Sequence, residues 1–292
     1  MKTYNEIYNE YLALINNKIN SLDFDTVFGG STVCDAMRYS LENGGKRIRP
    51  VLVLEACRIC GGDISDALNF AVALECIHTY SLIHDDLPCM DNDDMRRGKP
   101  SCHIKFGEEF ALLAGDGLLT YAFNLLSAAD VSADKKSNAV LTLSQNAGFN
   151  GMIGGQEIDL ASENKEISFE RLKMMHKLKT GALIRCAVHL GCIAAGADDE
   201  KVNALTEYAD NLGLAFQIID DILDVEGDAD ELGKPIGSDK ESGKTTYVTL
   251  FGLEKAKEMA KKATADAIRA VSDLNSNNFL ISLAESLSVR KS

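Results

Sequence analysis

The sequence predicts an all-α protein organised as one domain over residues 1–292. Apolar residues recur at three- and four-residue steps through most of the chain, as they do on one face of a helix. No segment shows the sustained alternation of a half-buried strand, and only four residues are proline. No low-complexity linker or repeat marks a domain boundary, and the 46% hydrophobic content is enough for one large core.

The predicted elements follow the apolar period along the chain. The first helix is amphipathic, with apolar side chains at Tyr4, Ile7, Tyr8, Tyr11, Leu12 and Ile15. A second, over about 32–42, is expected to end at the glycine pair 44–45. Further helices are predicted at about 50–61, 64–86, 106–128, 134–150, 168–194, 198–226, 248–272 and 276–290. Residues 227–243 are polar and glycine-rich, and a connection of that length is usually functional.

The charge balance excludes several classes of partner. Forty-four acidic residues against thirty basic ones give a net charge of −14, whereas nucleic acids and anionic membranes attract basic surfaces. No apolar run approaches the length of a membrane span, and the first twenty residues lack the apolar centre of a signal peptide. We therefore expect a cytoplasmic protein with no nucleic-acid partner and no stable membrane insertion.

The eight cysteines do not form a metal site in the sequence. Only Cys57 and Cys60 are spaced as a CxxC, and no second pair completes a zinc-binding set. They lie in the apolar run VLVLEACRIC, where a free thiol behaves as a small hydrophobe. We expect them to be core residues.

Two aspartate clusters are the strongest functional signal. In HDDLPCMDNDDMRR (84–97), Asp85 and Asp86 end an apolar helix, and Pro88 prevents its regular continuation, so Asp91 is expected to fold back toward Asp85. In FQIIDDILD (216–224), Asp220 and Asp224 lie one helical turn apart among isoleucines and leucines. Either cluster alone is typical of a solvated acidic surface. Together, on two apolar helices, they predict two walls of one site.

The donor chemistry of these clusters favours magnesium. Oxygen-only ligand sets suit hard cations, and Mg²⁺ is commonly shared between carboxylates and substrate phosphates. A calcium EF-hand is excluded, because the sixth position counted from Asp91 is Arg96 where the motif needs glycine.

Basic residues that could bind phosphate accompany both clusters. Arg96 and Arg97 follow the first cluster directly, and the segment GGKRIRP (44–50) contributes three more. Lys179 falls on the apolar stripe of its helix, so it needs an anionic partner, and Thr180-Gly181 allows local distortion there. A nucleotide-binding P-loop is excluded, because GSDKESGKT has five residues between its glycines where the motif has four.

In combination, these motifs resemble the trans-isoprenyl diphosphate synthases, with the spacing of bacterial farnesyl diphosphate synthases and many geranylgeranyl ones. The matching segments are GGKRIRP (44–50), HDDLPCMDNDDMRRGKPS (84–101), GGQEIDL (154–160), KTG (179–181), FQIIDDILD (216–224) and GKPIGSDKESGKTTY (233–247). The resemblance implies a bundle of about ten helices around a central cavity, usually a homodimer, that joins isopentenyl diphosphate to an allylic diphosphate.

The resemblance also implies a role for each site residue. Three Mg²⁺ ions would be bound by Asp85, Asp91 and Asp220, supported by Asp86, Asp221 and Asp224. The allylic diphosphate would be contacted by Arg96, Lys179 and Lys234. Isopentenyl diphosphate would be held by Lys46, Arg49, His78 and Arg97. The oxygen dipoles of Thr180 and Gln217 would face the developing carbocation.

Product length and two other classes of helical protein remain open in the sequence. Ser81 lies one turn below Asp85, and the bulky Tyr80 lies beside it. In the resembled family a large aromatic near this position tends to stop growth at fifteen carbons, so the resemblance implies a farnesyl product, with twenty-carbon geranylgeranyl diphosphate as the alternative. A terpene cyclase typically carries a different second metal motif and does not need GGKRIRP. A non-catalytic helical subunit is expected to have lost an aspartate motif.

Overall fold

Helices make up nearly all the regular structure in the computed structural model of the chain, which describes residues 2–24, 30–226 and 244–288. The α-helices of this part are α1 (Tyr4–Asn20), α2 (Thr32–Glu42), α3 (Ile48–Ile59), α4 (Ile64–Asp85), α5 (Cys102–Phe106), α6 (Glu108–Ser127), α7 (Ala133–Ala147), α8 (Met152–Ser162), α9 (Phe169–His176), α10 (Ala182–Ala195), α11 (Asp199–Glu226), α12 (Tyr247–Phe251), α13 (Leu253–Ala270) and α14 (Asn278–Ser288). A π-helical turn, Lys177–Gly181, joins α9 to α10. Strands β1 (Met95–Arg96) and β2 (Lys99–Pro100) form an antiparallel hairpin with Met95 opposite Pro100.

The all-α prediction is confirmed, with differences at glycines. The predicted helix at 106–128 is confirmed as α6, which begins after Gly107, whose φ is +97°; the short helix α5 before that glycine was not predicted. The predicted helix at 248–272 is divided at Gly252, with φ +79°. Helix α8 was not predicted, since Gly154-Gly155 near its start weakens the helical signal. The predicted functional connection at 227–243 lies outside the described residues.

Helix α4 is the central element of the fold. It is apolar on all sides, and its middle, from Phe70 to Ile77, is fully or almost fully buried against α3, α6 and α10. The charged residue within this buried stretch is Glu75, whose carboxylate accepts a 2.6 Å hydrogen bond from Arg47. Helix α4 therefore runs from the interior of the protein to its carboxyl end at Asp85, which lies at the candidate site.

In the described part of the chain, the buried side chains form two clusters. The larger cluster surrounds α4, and the smaller one contains Leu172, Met175, Ile218 and Tyr247. Along the chain, the change from one cluster to the other falls between Met175 and Leu183, the segment that contains the π turn.

Within the described residues, two stretches reach the length and apolar composition of a membrane span, contrary to the sequence expectation. They are Glu108–Ser127 and Phe169–Ala195. In the second, 67% of the most apolar window is buried inside the protein, and the first packs along α4 and α2. We interpret both as helices of the bundle.

Candidate active site

The aspartate-rich segment bends back on itself at the end of α4, as the sequence predicts. Asp85 is the last residue of the helix, and the backbone N–H of Asp91 donates a 2.8 Å hydrogen bond to the Asp85 carbonyl oxygen. This turn holds Asp91 beside Asp85 although five residues lie between them in sequence.

The Asp85 carboxyl group is electrostatically destabilised in its charged form. Burial raises its pKa to about 6; Lys179 opposes that rise, whereas the negative charges of Asp91 and Asp86 add to it. A bound cation would relieve this excess of negative charge.

Asp86 and Arg96 form a buried pair beneath this segment. Asp86 is 2% exposed, and Arg96 Nε donates to its two carboxylate oxygens at 3.0 and 3.2 Å. Arg96 Nη2 also donates to Asp93 at 3.2 Å. The β1–β2 hairpin positions the arginine, and its two-residue turn, Arg97-Gly98, has positive φ at both positions, as a type I′ turn requires.

A basic pocket of about 430 Å³ lies beside the start of α3. Its lining includes all four residues that the resemblance assigns to isopentenyl diphosphate: Lys46, Arg49, His78 and Arg97. They come from three separate places in the chain, since α4 supplies the histidine and the β-hairpin turn supplies Arg97.

The charges in this pocket repel one another. Arg49 Nη1 lies 3.4 Å from His78 Nε2, and burial followed by the charges of Arg49 and Arg97 holds the pKa of His78 well below its usual range. Burial also lowers the pKa of Arg49 and of Arg97. The pocket therefore combines an uncharged imidazole with closely spaced cations, which favours a multiply charged anion.

Lys179 lies on the π turn and does have the anionic partner that its position predicts. Its Nζ is 2.5 Å from Asp159 Oδ2 on α8. Helix α8 approaches so closely that a Cβ at Gly155 would lie 2.1 Å from the Lys179 backbone nitrogen. Burial alone would raise the pKa of Asp159, but the charge and hydrogen bond of Lys179 outweigh it and the pKa is lowered. The pair is thus ionised and held in place.

A hydrogen-bonded chain connects the π turn to α11. Thr180 Oγ1 donates to Gln217 Oε1 at 3.1 Å, and Gln217 Nε2 donates to Asp221 Oδ1 at 3.3 Å. Asp221 is 4% exposed and also accepts a 2.8 Å bond from the backbone N–H of Tyr247. These bonds fix the orientation of Thr180 and Gln217. Asp220 is on the exposed side of α11.

A cavity of about 650 Å³ borders the basic pocket, the end of α4 and the π turn. Arg49 and His78 line both this cavity and the basic pocket, and Asp85, Lys179 and Thr180 line it too. The remaining wall is mainly apolar and contains Tyr80, Leu119, Met152, Ile153, Leu160 and Leu183. Such a combination of charged side chains and a mainly apolar wall suits an amphipathic ligand with an anionic head and a hydrocarbon tail.

The residues present fit magnesium in donor chemistry. Asp85, Asp91, Asp220 and Asp224 offer only oxygen donors, the type that Mg²⁺ prefers. Among residues 2–24, 30–226 and 244–288, no three His, Cys, Asp or Glu side chains converge closely enough to form a metal site by themselves. Mg²⁺ typically takes some of its ligands from water and substrate phosphates, so this arrangement is compatible with it.

The structure adds two site residues that the sequence reasoning missed. Asp159 is the partner of Lys179, and Gln156, one turn earlier on α8, lines the cavity with both amide atoms buried and no hydrogen-bond partner in the described part of the chain. Both residues belong to the motif GGQEIDL (154–160), and its polar side chains are the sequence feature that could have indicated them. Lys234, predicted to contact the allylic diphosphate, lies outside the described residues.

Comparison with known proteins assigns the chain to a family. The polyprenyl synthetase family model matches residues 31–279. The chain is 49% identical to the farnesyl diphosphate synthase of Geobacillus stearothermophilus, over 79% of this chain and 78% of the relative. It is 48% identical to the chloroplastic geranylgeranyl pyrophosphate synthase 3 of Arabidopsis thaliana, over 81% of this chain and 67% of the relative. A crystal structure of an FPP/GFPP synthase from Zymomonas mobilis superposes with a TM-score of 0.88 at 36% identity, covering 97% of this chain and 98% of the other. The resemblance carried by the sequence motifs is therefore confirmed, and the chain belongs to the polyprenyl synthetase family.

Proposed function

We propose that this protein condenses isopentenyl diphosphate with dimethylallyl diphosphate and then with geranyl diphosphate, giving farnesyl diphosphate. The observation that carries the proposal is that Arg49 and His78 border both the basic pocket and the large apolar cavity. A diphosphate in the pocket would therefore extend its short hydrocarbon part toward the cavity, where a second substrate lies.

The two diphosphates occupy different places in this proposal. The basic pocket binds isopentenyl diphosphate through Lys46, Arg49, His78 and Arg97. The allylic diphosphate lies near Asp85 with its hydrocarbon tail in the cavity, and Lys179 contacts its phosphates, together with Arg96 and Lys234. Asp86 holds Arg96 from below.

Three Mg²⁺ ions accompany the allylic diphosphate in this proposal, held by Asp85, Asp91 and Asp220 with substrate oxygens and water. When bound, magnesium supplies positive charge that stabilises the departing diphosphate. The high pKa of Asp85 supports this assignment, because a carboxyl buried beside other acids gains from a cationic ligand.

The chain's own residues serve the carbocation that remains after ionisation. The Thr180 and Gln217 oxygens orient their dipoles toward it, and their mutual hydrogen bond keeps them in place. The apolar wall of the cavity excludes water, which would otherwise quench the cation. The double bond of isopentenyl diphosphate attacks the cation, and the released diphosphate accepts the proton then lost.

The protein acts as a cytoplasmic homodimer with one domain per chain in this proposal. Exposed apolar side chains on α6, α7, the segment leading into α8 and the first turn of α8 support a second copy as partner: Leu112, Leu113, Leu141, Phe149 and Ile153 are 48–79% exposed.

Substrate omission tests the proposed reaction. Labelled isopentenyl diphosphate should enter a prenyl product only when both an allylic diphosphate and Mg²⁺ are present. A hydrocarbon or alcohol released from allylic diphosphate alone would indicate a terpene cyclase, and no product under any condition would indicate a non-catalytic subunit. Both results contradict the proposal.

A further inference from the structure

The side chains of Cys60 and Cys192 face each other at a site remote from the proposed chemistry. Cys60 caps the carboxyl end of α3, and its Sγ lies 3.9 Å from the Sγ of Cys192 near the carboxyl end of α10. We propose that these two thiols form a reversible intramolecular disulfide on exposure to a hydroperoxide, and that this crosslink stabilises the α3–α10 pair.

The packing of the two helices permits a bond at this point. A Cβ at Gly191 would lie 2.4 Å from the Val53 carbonyl oxygen and 2.8 Å from the Cys57 backbone nitrogen, so the backbones are nearly in contact. The sulfurs must approach by about 2 Å to reach bonding distance. Cys60 precedes Gly61 at the end of its helix, where a small adjustment of side chain and backbone is easiest.

The two cysteines differ in environment as an attacking and a resolving thiol should. The hydrogen bond with Cys192 lowers the pKa of the Cys60 thiol, and Lys201 adds to that effect against the opposing influence of burial. Cys60 is partly exposed, so an oxidant can reach it, whereas Cys192 is 3% exposed directly behind it. Cys57 is unsuited to the role, because burial raises its pKa to about 12 and its thiol donates to the Asp63 carbonyl oxygen.

The chemistry balances with one hydroperoxide per crosslink. The Cys60 thiolate attacks the peroxide oxygen, which breaks the O–O bond and gives a sulfenic acid and, with a proton, water or an alcohol. The Cys192 sulfur then attacks the Cys60 sulfur and displaces water as the S–S bond forms. Two thiols thereby lose two electrons and two protons, and a dithiol reductant reverses the change.

Peptide mapping tests the proposal. The native protein is treated with hydrogen peroxide, remaining thiols are alkylated, and the digest is analysed by mass spectrometry with and without reductant. We expect a reducible Cys60–Cys192 peptide pair that is absent from Cys60→Ser and from Cys192→Ser and present in the matched control Cys89→Ser, which removes an exposed cysteine outside the pair. Thermal unfolding of the reduced variants checks that each one folds.

Thermal stability supplies the second readout. Because the crosslink closes a long loop, oxidation should raise the melting temperature of the unsubstituted protein by at least about 5 °C, and should not raise that of Cys60→Ser. Peroxide that converts Cys60 to a sulfinic acid without any crosslink would overturn the proposal. So would crosslinks that join other cysteines, or a Cys60–Cys192 bond that leaves the melting temperature unchanged.

Discussion

Lys179 Nζ lies 2.5 Å from Asp159 Oδ2, and this ion pair connects the π turn of one helix to the neighbouring helix α8. Both side chains are partly buried, with 29% and 14% of their surfaces exposed. The flexible side chain of a lysine does not by itself hold its charge in one position. Its pairing with Asp159 fixes where its charge lies relative to Asp85, whose pKa it influences.

The first prediction follows from this pair. Asp159→Asn should lower kcat/KM for the allylic diphosphate by about 10- to 100-fold, because Lys179 loses the anion that orients it. Steady-state kinetics with each substrate varied in turn measures the effect. The matched control is Glu166→Gln, an exposed carboxylate near the end of α8, which should leave the kinetics unchanged. Equal kinetics in Asp159→Asn and the control would show that the pair has no part in substrate use.

The second prediction concerns the two aspartate clusters. Asp85→Ala and Asp220→Ala should each reduce condensation by at least about 10³-fold at saturating Mg²⁺, since each removes part of the proposed metal-binding set. Circular dichroism should give nearly unchanged helix content, because Asp220 is exposed and Asp85 lies at a helix end. Near-normal turnover in either variant would contradict the proposed two-cluster site.

The third prediction separates the two diphosphate sites. Arg97→Ala should raise the KM for isopentenyl diphosphate by about 10- to 100-fold, because a charge-assisted contact is lost, with a much smaller change for the allylic substrate. Arg38→Ala serves as the control, since that arginine pairs with Glu42 on α2. If Arg97→Ala and Asp159→Asn affected both substrates equally, the division of the basic residues between two sites would be wrong.

The sequence was informative where a residue's chemistry conflicted with its surroundings. An apolar-stripe lysine had to have an anionic partner, and acids at the end of an apolar helix before a proline had to lie at a bend; both features are present. The identity of the lysine's partner could not be predicted, because it depends on how closely α8 packs at Gly155. The same packing explains why Gly155 occurs within a helix, whereas a Cβ at Gly154 would lie 2.1 Å from the Phe149 carbonyl oxygen.

The arrangement of the basic residues was likewise beyond sequence reasoning alone. Only the fold shows that Arg49 and His78 border two cavities at once. The pairing of Arg96 with Asp86 depends on the β1–β2 hairpin, which has two residues per strand and leaves almost no alternating pattern to detect.

The fourth prediction is a pH dependence of stability that arises from His176. Burial lowers the pKa of this imidazole to about 4, whereas its pKa in the unfolded chain is near 6.5. Between those values the unfolded state binds more protons, so the free energy of unfolding decreases as the pH falls from about 6.5 toward 4. Near pH 4, the decrease in the free energy of unfolding that is due to His176 reaches ~3 kcal/mol.

His176→Phe isolates this contribution. Phenylalanine retains the stacking on Tyr247, whose ring centroid is 5.6 Å away, but does not titrate. Chemical denaturation between pH 4.5 and 7.5 should therefore show a shallower loss of stability in the variant. Parallel curves for the two proteins would contradict the assignment.

The fifth prediction concerns Tyr80 in the wall of the cavity. Tyr80 is 5% exposed, lines the cavity, and packs edge-on against His84 with ring centroids 5.7 Å apart. Tyr80→Ala should therefore lengthen the space available to the growing chain and yield products longer than those of the unsubstituted protein. Ser81→Ala, which changes little volume at the neighbouring position on the same wall, is the matched control and should leave product length unchanged.

The most direct test of the proposed function is the size of the product made by the unsubstituted protein. The protein is incubated with dimethylallyl diphosphate, excess isopentenyl diphosphate and Mg²⁺, and the dephosphorylated alcohols are separated by chromatography. The proposal predicts farnesol, with fifteen carbons, as the dominant alcohol. A dominant twenty-carbon alcohol would contradict the farnesyl assignment and identify a geranylgeranyl diphosphate synthase, and the absence of any elongated alcohol would contradict the proposed condensation itself.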